Sequence, residues 1–292
     1  MTDMMLGASP RLLHRQRALL ALLRAFGGKV DGEDFQRLLF DYGRWCRERG
    51  ADMPYDFVSL PEGPRSFTAL ADRDKLARRA ILAPGAWNLT TEGWRIAERL
   101  MNRDVAVFAA RRRRGNDDLG ARANRQPVVS GHDRAKDAGV GGGHNGGLLA
   151  TIGYEGRSYE DYFNALLRSG IWRLCDVRSK PLSRKWGFSK RLLSQGCDEF
   201  GIRYEPFPEL GIESRQRGGL RGRAAYDHLF ALYEATTLHQ CRDAVARIAG
   251  WIDGGERVAL TCYERDSRDC HRSRLAWTIV KTAAKPLQPR HL

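Results

Sequence analysis

The sequence has no run of about 18 apolar residues, so it offers no membrane-spanning helix. Its Leu-rich start is interrupted by Arg11, Arg15, Arg17 and Arg24, which departs from the basic, apolar and small-residue order of an export signal; a cytoplasmic protein without membrane association is expected. Cysteines number only six and are scattered, so reduced thiols are expected rather than a disulfide framework. No CxxC or HxxxH pair occurs, and neither a metal nor any other cofactor is expected. Acidic residues are also in deficit. The net charge is +14, from 25 basic against 18 acidic residues up to Gly147 and 24 against 17 beyond it. Both halves are thus basic, which suits a polyanionic partner because Lys and Arg near phosphates release condensed counterions; an Arg-rich composition is the alternative explanation.

At 292 residues the chain exceeds what one core needs, and two domains are expected. Leu19, Leu22, Leu23 and Phe26 recur at helical spacing and predict a helix over 11–26, closed by Gly27-Gly28. Asp31 predicts the cap of a second helix carrying Phe35, Leu38, Leu39 and Tyr42. A helix over 66–79, an extended piece at Trp87-Asn88-Leu89 and a helix over 91–107 follow, an order suggesting a winged helix in residues 1–110. Residues 111–147, from a four-arginine run to a Gly-rich end, lack periodic apolar residues and read as a basic flexible linker.

From 148 to 292 strand and helix alternate. Strands are expected at 148–154, 172–177, 202–207 and 257–263, and helices from Ser158, Ser189, Ala224, Gln240 and His271. This grammar predicts an α/β domain with a mostly parallel sheet flanked by helices. Ligands in such domains lie beyond the C-terminal strand ends. Three expected ends are polar: Tyr154-Glu155-Gly156-Arg157, Asp176-Val177-Arg178-Ser179-Lys180 and Cys262-Tyr263-Glu264-Arg265-Asp266, the last followed by Cys270-His271-Arg272.

The stretches "GGKVDGEDFQRLLFDY" and "YDFVSLPEGPRSF" resemble the SocA-like antitoxin family (Panacea domain) over residues 11–100, implying a module that binds DNA or a protein partner. The stretches "TIGYEGRSYEDYFNALL", "CDVRSKPLSRKWGFSK", "GIRYEPFPELGI" and "RVALTCYERDSRDCHRSRLA" resemble the family catalogued as domain of unknown function 488 over residues 150–280. Together the two modules resemble an anti-phage DNA glycosylase that removes glucosylated hydroxymethylcytosine from double-stranded viral DNA. The resemblance implies cleavage of an N-glycosidic bond, which needs a carboxylate near the sugar C1′ and a flipped nucleotide. Asp176 is then the expected main catalytic carboxylate and Glu264 its partner. Tyr154, Arg157, Arg178, Lys180, Arg184, Tyr204, His271 and Arg272 are the expected contacts to DNA, with Trp186, Phe188 and Lys185 nearby in sequence.

Three alternatives stay open. Lys180 is a candidate for a Schiff-base route. Cys262 and Arg268 satisfy Cys-x5-Arg, the spacing of a phosphate-cradling loop in cysteine phosphatases, although Glu264 and Asp266 would repel phosphate. A non-enzymatic DNA-binding regulator is the third.

Overall fold

The computed structural model describes residues 11–114 and 146–292. Most of the expected linker, 115–145, lies outside the described residues. The chain divides into two compact units, Met1–Val128 and Val129–Leu292.

In the first unit α1 (His14–Ala25) buries Leu19, Leu20, Leu22 and Leu23 completely. It stops at Gly27 and Gly28, which take φ of +89° and +75°, a region where a side chain is strained. β1 (Lys29–Val30) leads to α2 (Gly32–Arg47), whose Asp31 cap accepts a bond from the Glu33 N–H at 3.0 Å. A hairpin, β2 (Val58–Leu60) and β3 (Gly63–Arg65), precedes α3 (Phe67–Arg78), which Ser66 caps through the Ala69 N–H. β4 (Trp87–Asn88) returns to pair antiparallel with β1, and Leu82 bridges Leu89. The unit is thus helix-rich, with two short antiparallel pairs, β1 with β4 and β2 with β3.

Two expectations change in this unit. The helix expected over 91–107 is two helices, α4 (Thr91–Glu98) and α5 (Arg103–Arg113). Asn102 starts the second by accepting the Val105 N–H at 2.9 Å, a side-chain bond that competes with continuing the first helix. The arginine run is not linker either. Val105, Phe108 and Ala109 are buried on one face and carry the helix through Arg111–Arg113, where Arg112 pairs with Asp41 and Arg113 donates to the Ala25 carbonyl.

The second unit is a five-stranded sheet in the order β7-β6-β8-β5-β9, with every pairing parallel. Its strands are β5 (Leu148–Gly153), β6 (Arg173–Asp176), β7 (Arg203–Pro206), β8 (Arg257–Cys262) and the edge β9 (Arg290–His291), the last not foreseen. The central strands are buried along nearly their whole length, as expected of a sheet covered on both faces. One face carries α6 (Tyr159–Arg168) and α7 (Lys190–Glu199); Tyr162 of α6 donates its hydroxyl to Thr261 Oγ1 at 2.8 Å. After α7 come the short α8 (Ser214–Arg217) and α9 (Arg223–Tyr233), the latter running into a π-turn at Glu234–Leu238. α10 (Arg242–Asp253) and α11 (His271–Thr282) then pack their Ile248, Ile252, Leu275 and Ile279 with Leu149, Val258 and Leu260 of the sheet. No helix among the described residues is long and apolar enough to cross a membrane.

Candidate functional site

The three polar strand ends belong to β6, β8 and β5, which are direct neighbours in the sheet. Adjacency brings residues distant in sequence to one edge. There a cleft of about 470 Å³ is lined by Tyr154, Arg178, Lys180, Arg184, Lys185 and Arg217, with Cys262 and Tyr263 beside them. Glu155 is the one carboxylate residue of the lining against those five cations. Lys180 and Arg184 are exposed, and Lys185, half-buried, donates to the Tyr154 carbonyl at 2.9 Å. Burial lowers the Lys185 pKa, and this lysine is not the one considered for a Schiff-base route. Tyr154 stacks on Phe188 with ring centroids 4.4 Å apart and meets the exposed Tyr263 edge-on at 5.3 Å.

Alternation along the strands divides the remaining residues between two sides. Asp176 lies on the α6 side, with Leu174 and Thr261, and is 1% exposed. Its Oδ1 accepts the Arg178 N–H at 3.2 Å and Nε at 2.8 Å, and its Oδ2 accepts Arg178 Nη2 at 2.5 Å and the Tyr204 hydroxyl at 2.6 Å. Arg178 spends its other terminal nitrogen on Tyr154 Oη and the Phe188 carbonyl. Asp176 therefore stands one layer behind the cleft. Both oxygens are saturated by protein donors, which corrects its expected role as the carboxylate that meets substrate: it positions Arg178. Tyr204, held on the same oxygen, is not part of the cleft wall either, and burial with the Asp176 charge pushes its hydroxyl pKa up.

On the opposite side sit Cys262, Cys270, His271, Glu264 and Arg217. Arg217 Nη1 donates to Glu264 Oε1 at 2.5 Å, and its Nη2 lies 3.3 Å from His271 Nδ1. Glu264 Oε2 is 3.2 Å from Cys262 Sγ. His271 Nε2 is 3.0 Å from the Val177 carbonyl. The Cys262 thiol is held well below its ordinary pKa, first by the hydrogen bond from Cys270 and then by His271 and Arg217 against the effect of burial. Burial pushes Cys270 up. Burial also raises Glu264, with the Cys262 charge adding to it and Arg217 opposing.

Glu264 is placed by its backbone. A Cβ on Gly153 would lie 1.8 Å from the Glu264 carbonyl oxygen, so only glycine at the end of β5 lets this loop pass. Arg272 fixes the loop from the other side, donating to the Glu264 carbonyl at 2.6 Å and the Arg265 carbonyl at 3.0 Å. Arg272 is 1% exposed and His271 fully buried, so neither is the phosphate contact the sequence suggested; one holds a loop and the other faces two sulfurs. Arg157 pairs with Asp161 in the first turn of α6, outside the cleft lining. Arg268 pairs with Asp266 and its side chain is 80% exposed, so the Cys-x5-Arg spacing does not close into a phosphate cradle.

Arg217 was missed. Its only signal was an Arg-rich stretch following the third strand, and nothing local ties it to residues 264 and 271.

These features define a parallel α/β domain with a cleft rich in basic side chains at its C-terminal sheet edge. Residues 158–279 match the family described as Domain of unknown function DUF488. No curated protein and no solved structure matches the chain.

Proposed function

We propose that the protein is a DNA N-glycosylase of the cytoplasm that excises a modified cytosine, glucosylated hydroxymethylcytosine of phage DNA, and leaves an abasic site as an anti-phage activity. The observation that carries this reading is the cleft, where the exposed Lys180 and Arg184, with Lys185 next to them, stand beside the rings of Tyr154 and Tyr263. Its volume falls in the range of about 300–1,000 Å³ usual for small-ligand sites, enough for an extruded nucleotide. Lys180 and Arg184 serve the flanking phosphates, and the aromatic wall serves the flipped base. Glu264, held just behind the lining by Arg217 and Cys262 that themselves face the cleft, is the carboxylate assigned to stabilise positive charge at C1′ or to activate water, the need any glycosidic cleavage imposes. Asp176 acts through Arg178. The helix-rich first unit, with its resemblance to the SocA-like family, is assigned a role in holding the duplex.

The test incubates the full chain with duplexes carrying cytosine, hydroxymethylcytosine or its glucosylated form, and measures free base and alkali-labile sites. Release from the glucosylated duplex alone, lost in Glu264→Gln with DNA binding retained, is the expected result. Binding without release on any duplex would replace the enzyme with a DNA-binding regulator.

A further inference from the structure

We infer that the C-terminal domain binds one zinc-class divalent cation through Cys262 Sγ, Cys270 Sγ and His271 Nδ1, with Glu264 as the adjoining carboxylate. The three residues come from the end of β8 and the start of α11, and their donor atoms all lie within 4.8 Å of one another. His271 Nδ1 is 4.0 Å from Cys262 Sγ and 3.8 Å from Cys270 Sγ. A tetrahedral site with Zn–S of about 2.3 Å and Zn–N of about 2.0 Å spaces sulfur and nitrogen by about 3.6 Å, so each sulfur needs to approach Nδ1 by only a few tenths of an ångström.

The imidazole is already turned for ligation. A carbonyl only accepts hydrogen bonds, so the 3.0 Å contact to Val177 O puts the proton on Nε2 and leaves the Nδ1 lone pair facing the sulfurs. Backbone carbonyls orient metal-bound histidines in this way.

Burial supplies a separate argument. Cys262 is 2% exposed, Cys270 1% and His271 0%, so two weakly hydrogen-bonding thiols and an unprotonated nitrogen share a nearly dry space. A borderline-soft cation answers all three, and two thiolates with a neutral imidazole cancel its charge, which limits the cost of burying it. Arg217 Nη2 now stands 3.3 Å from Nδ1 and must move aside, for which its bond to Glu264 through Nη1 provides a partner. The spacing is Cys-x7-Cys-His, outside the paired motifs by which such sites are usually read. The inference does not rest on the proposed activity, since the site's geometry is independent of what the cleft holds.

The experiment uses the full chain, purified reduced and without chelator. Elemental analysis is expected to find one zinc-class ion per chain. Chelator-stripped protein, checked by circular dichroism to be folded, is then titrated with cobalt(II). An intense near-ultraviolet sulfur-to-cobalt charge-transfer band is expected in wild type and in Cys241→Ser, and its loss in Cys270→Ser. The wild-type spectrum alone decides the matter if Cys270→Ser fails to fold. Folded, fully reduced wild-type protein that takes up neither zinc nor cobalt overturns the inference, as does cobalt bound without the sulfur band or equally well by Cys270→Ser.

Discussion

Asp176→Ala separates a positioning carboxylate from a chemical one. In the native protein this carboxylate accepts four hydrogen bonds from Arg178 and Tyr204 while 1% exposed, and Arg178 itself is 6% exposed. Removing it leaves a buried guanidinium uncompensated and the Tyr204 hydroxyl without its acceptor. Breaking a buried pair from one side costs about 3–5 kcal/mol. For a domain of this size a kilocalorie corresponds to roughly 3 °C in melting temperature, so a fall of roughly 10–15 °C is expected. Asp176→Asn should fall as well, because Arg178 keeps its charge. In Asp176→Ala/Arg178→Met the uncompensated charge is gone, so the double variant should recover much of the loss. Thermal melting followed by circular dichroism on the full chain gives all three values. An Asp176→Asn protein that melts with the wild type yet releases no base would refute the reasoning and return Asp176 to the chemistry.

Gly153→Ala is expected to cost about 1–3 kcal/mol, since its Cβ would sit 1.8 Å from the Glu264 carbonyl oxygen. Base release should fall further than the melting shift explains, because the loop carrying Glu264 must move. Lys180→Ala with Arg184→Ala should leave the melting temperature unchanged and weaken DNA binding. The slope of log affinity against log salt, measured by fluorescence anisotropy, should drop by about two, and an unchanged slope would remove both residues from the interface. Tyr162→Phe deletes a fully buried 2.8 Å bond to Thr261 and should cost about 1–2 kcal/mol with activity per folded molecule unchanged; denaturant titration checks the first and active-site-normalised base release the second.

Local signals were legible in the sequence. Asp31 and Ser158 cap helices where the residue pattern put them, whereas Ser189, expected to cap the next, makes no side-chain cap bond; the four expected strands fall within a residue or two of their limits. The break at Asn102 was not legible, because apolar spacing continues across it and the deciding event is one side-chain bond. Strand order was not legible either. Only the sheet shows that β6, β8 and β5 are neighbours, and hence that Arg178, Cys262 and Tyr154 share a wall. Asp176, His271 and Arg272 were expected to meet ligand, whereas they face inward and hold other groups in place. Sequence places a charge at an edge, and burial decides whether the charge is spent there.

The same distinction gives the basic composition its meaning. A net charge of +14 divided evenly between the halves does not locate a binding surface. In the C-terminal domain Arg173 is buried between Glu205 and Glu256, Arg178 on Asp176, and Arg272 on two carbonyls, so these cations are consumed by the fold. Lys180 and Arg184 differ: both are exposed on the cleft, and neither has a carboxylate partner among the described residues. Folding gains nothing from setting like charges around one concavity, since their mutual repulsion opposes it and no burial compensates. An anion seated between them reverses that sign. These two side chains beside Lys185 and Arg217 are what favour a phosphate-bearing ligand, and they would favour it equally if the remaining basic residues of the chain were neutral.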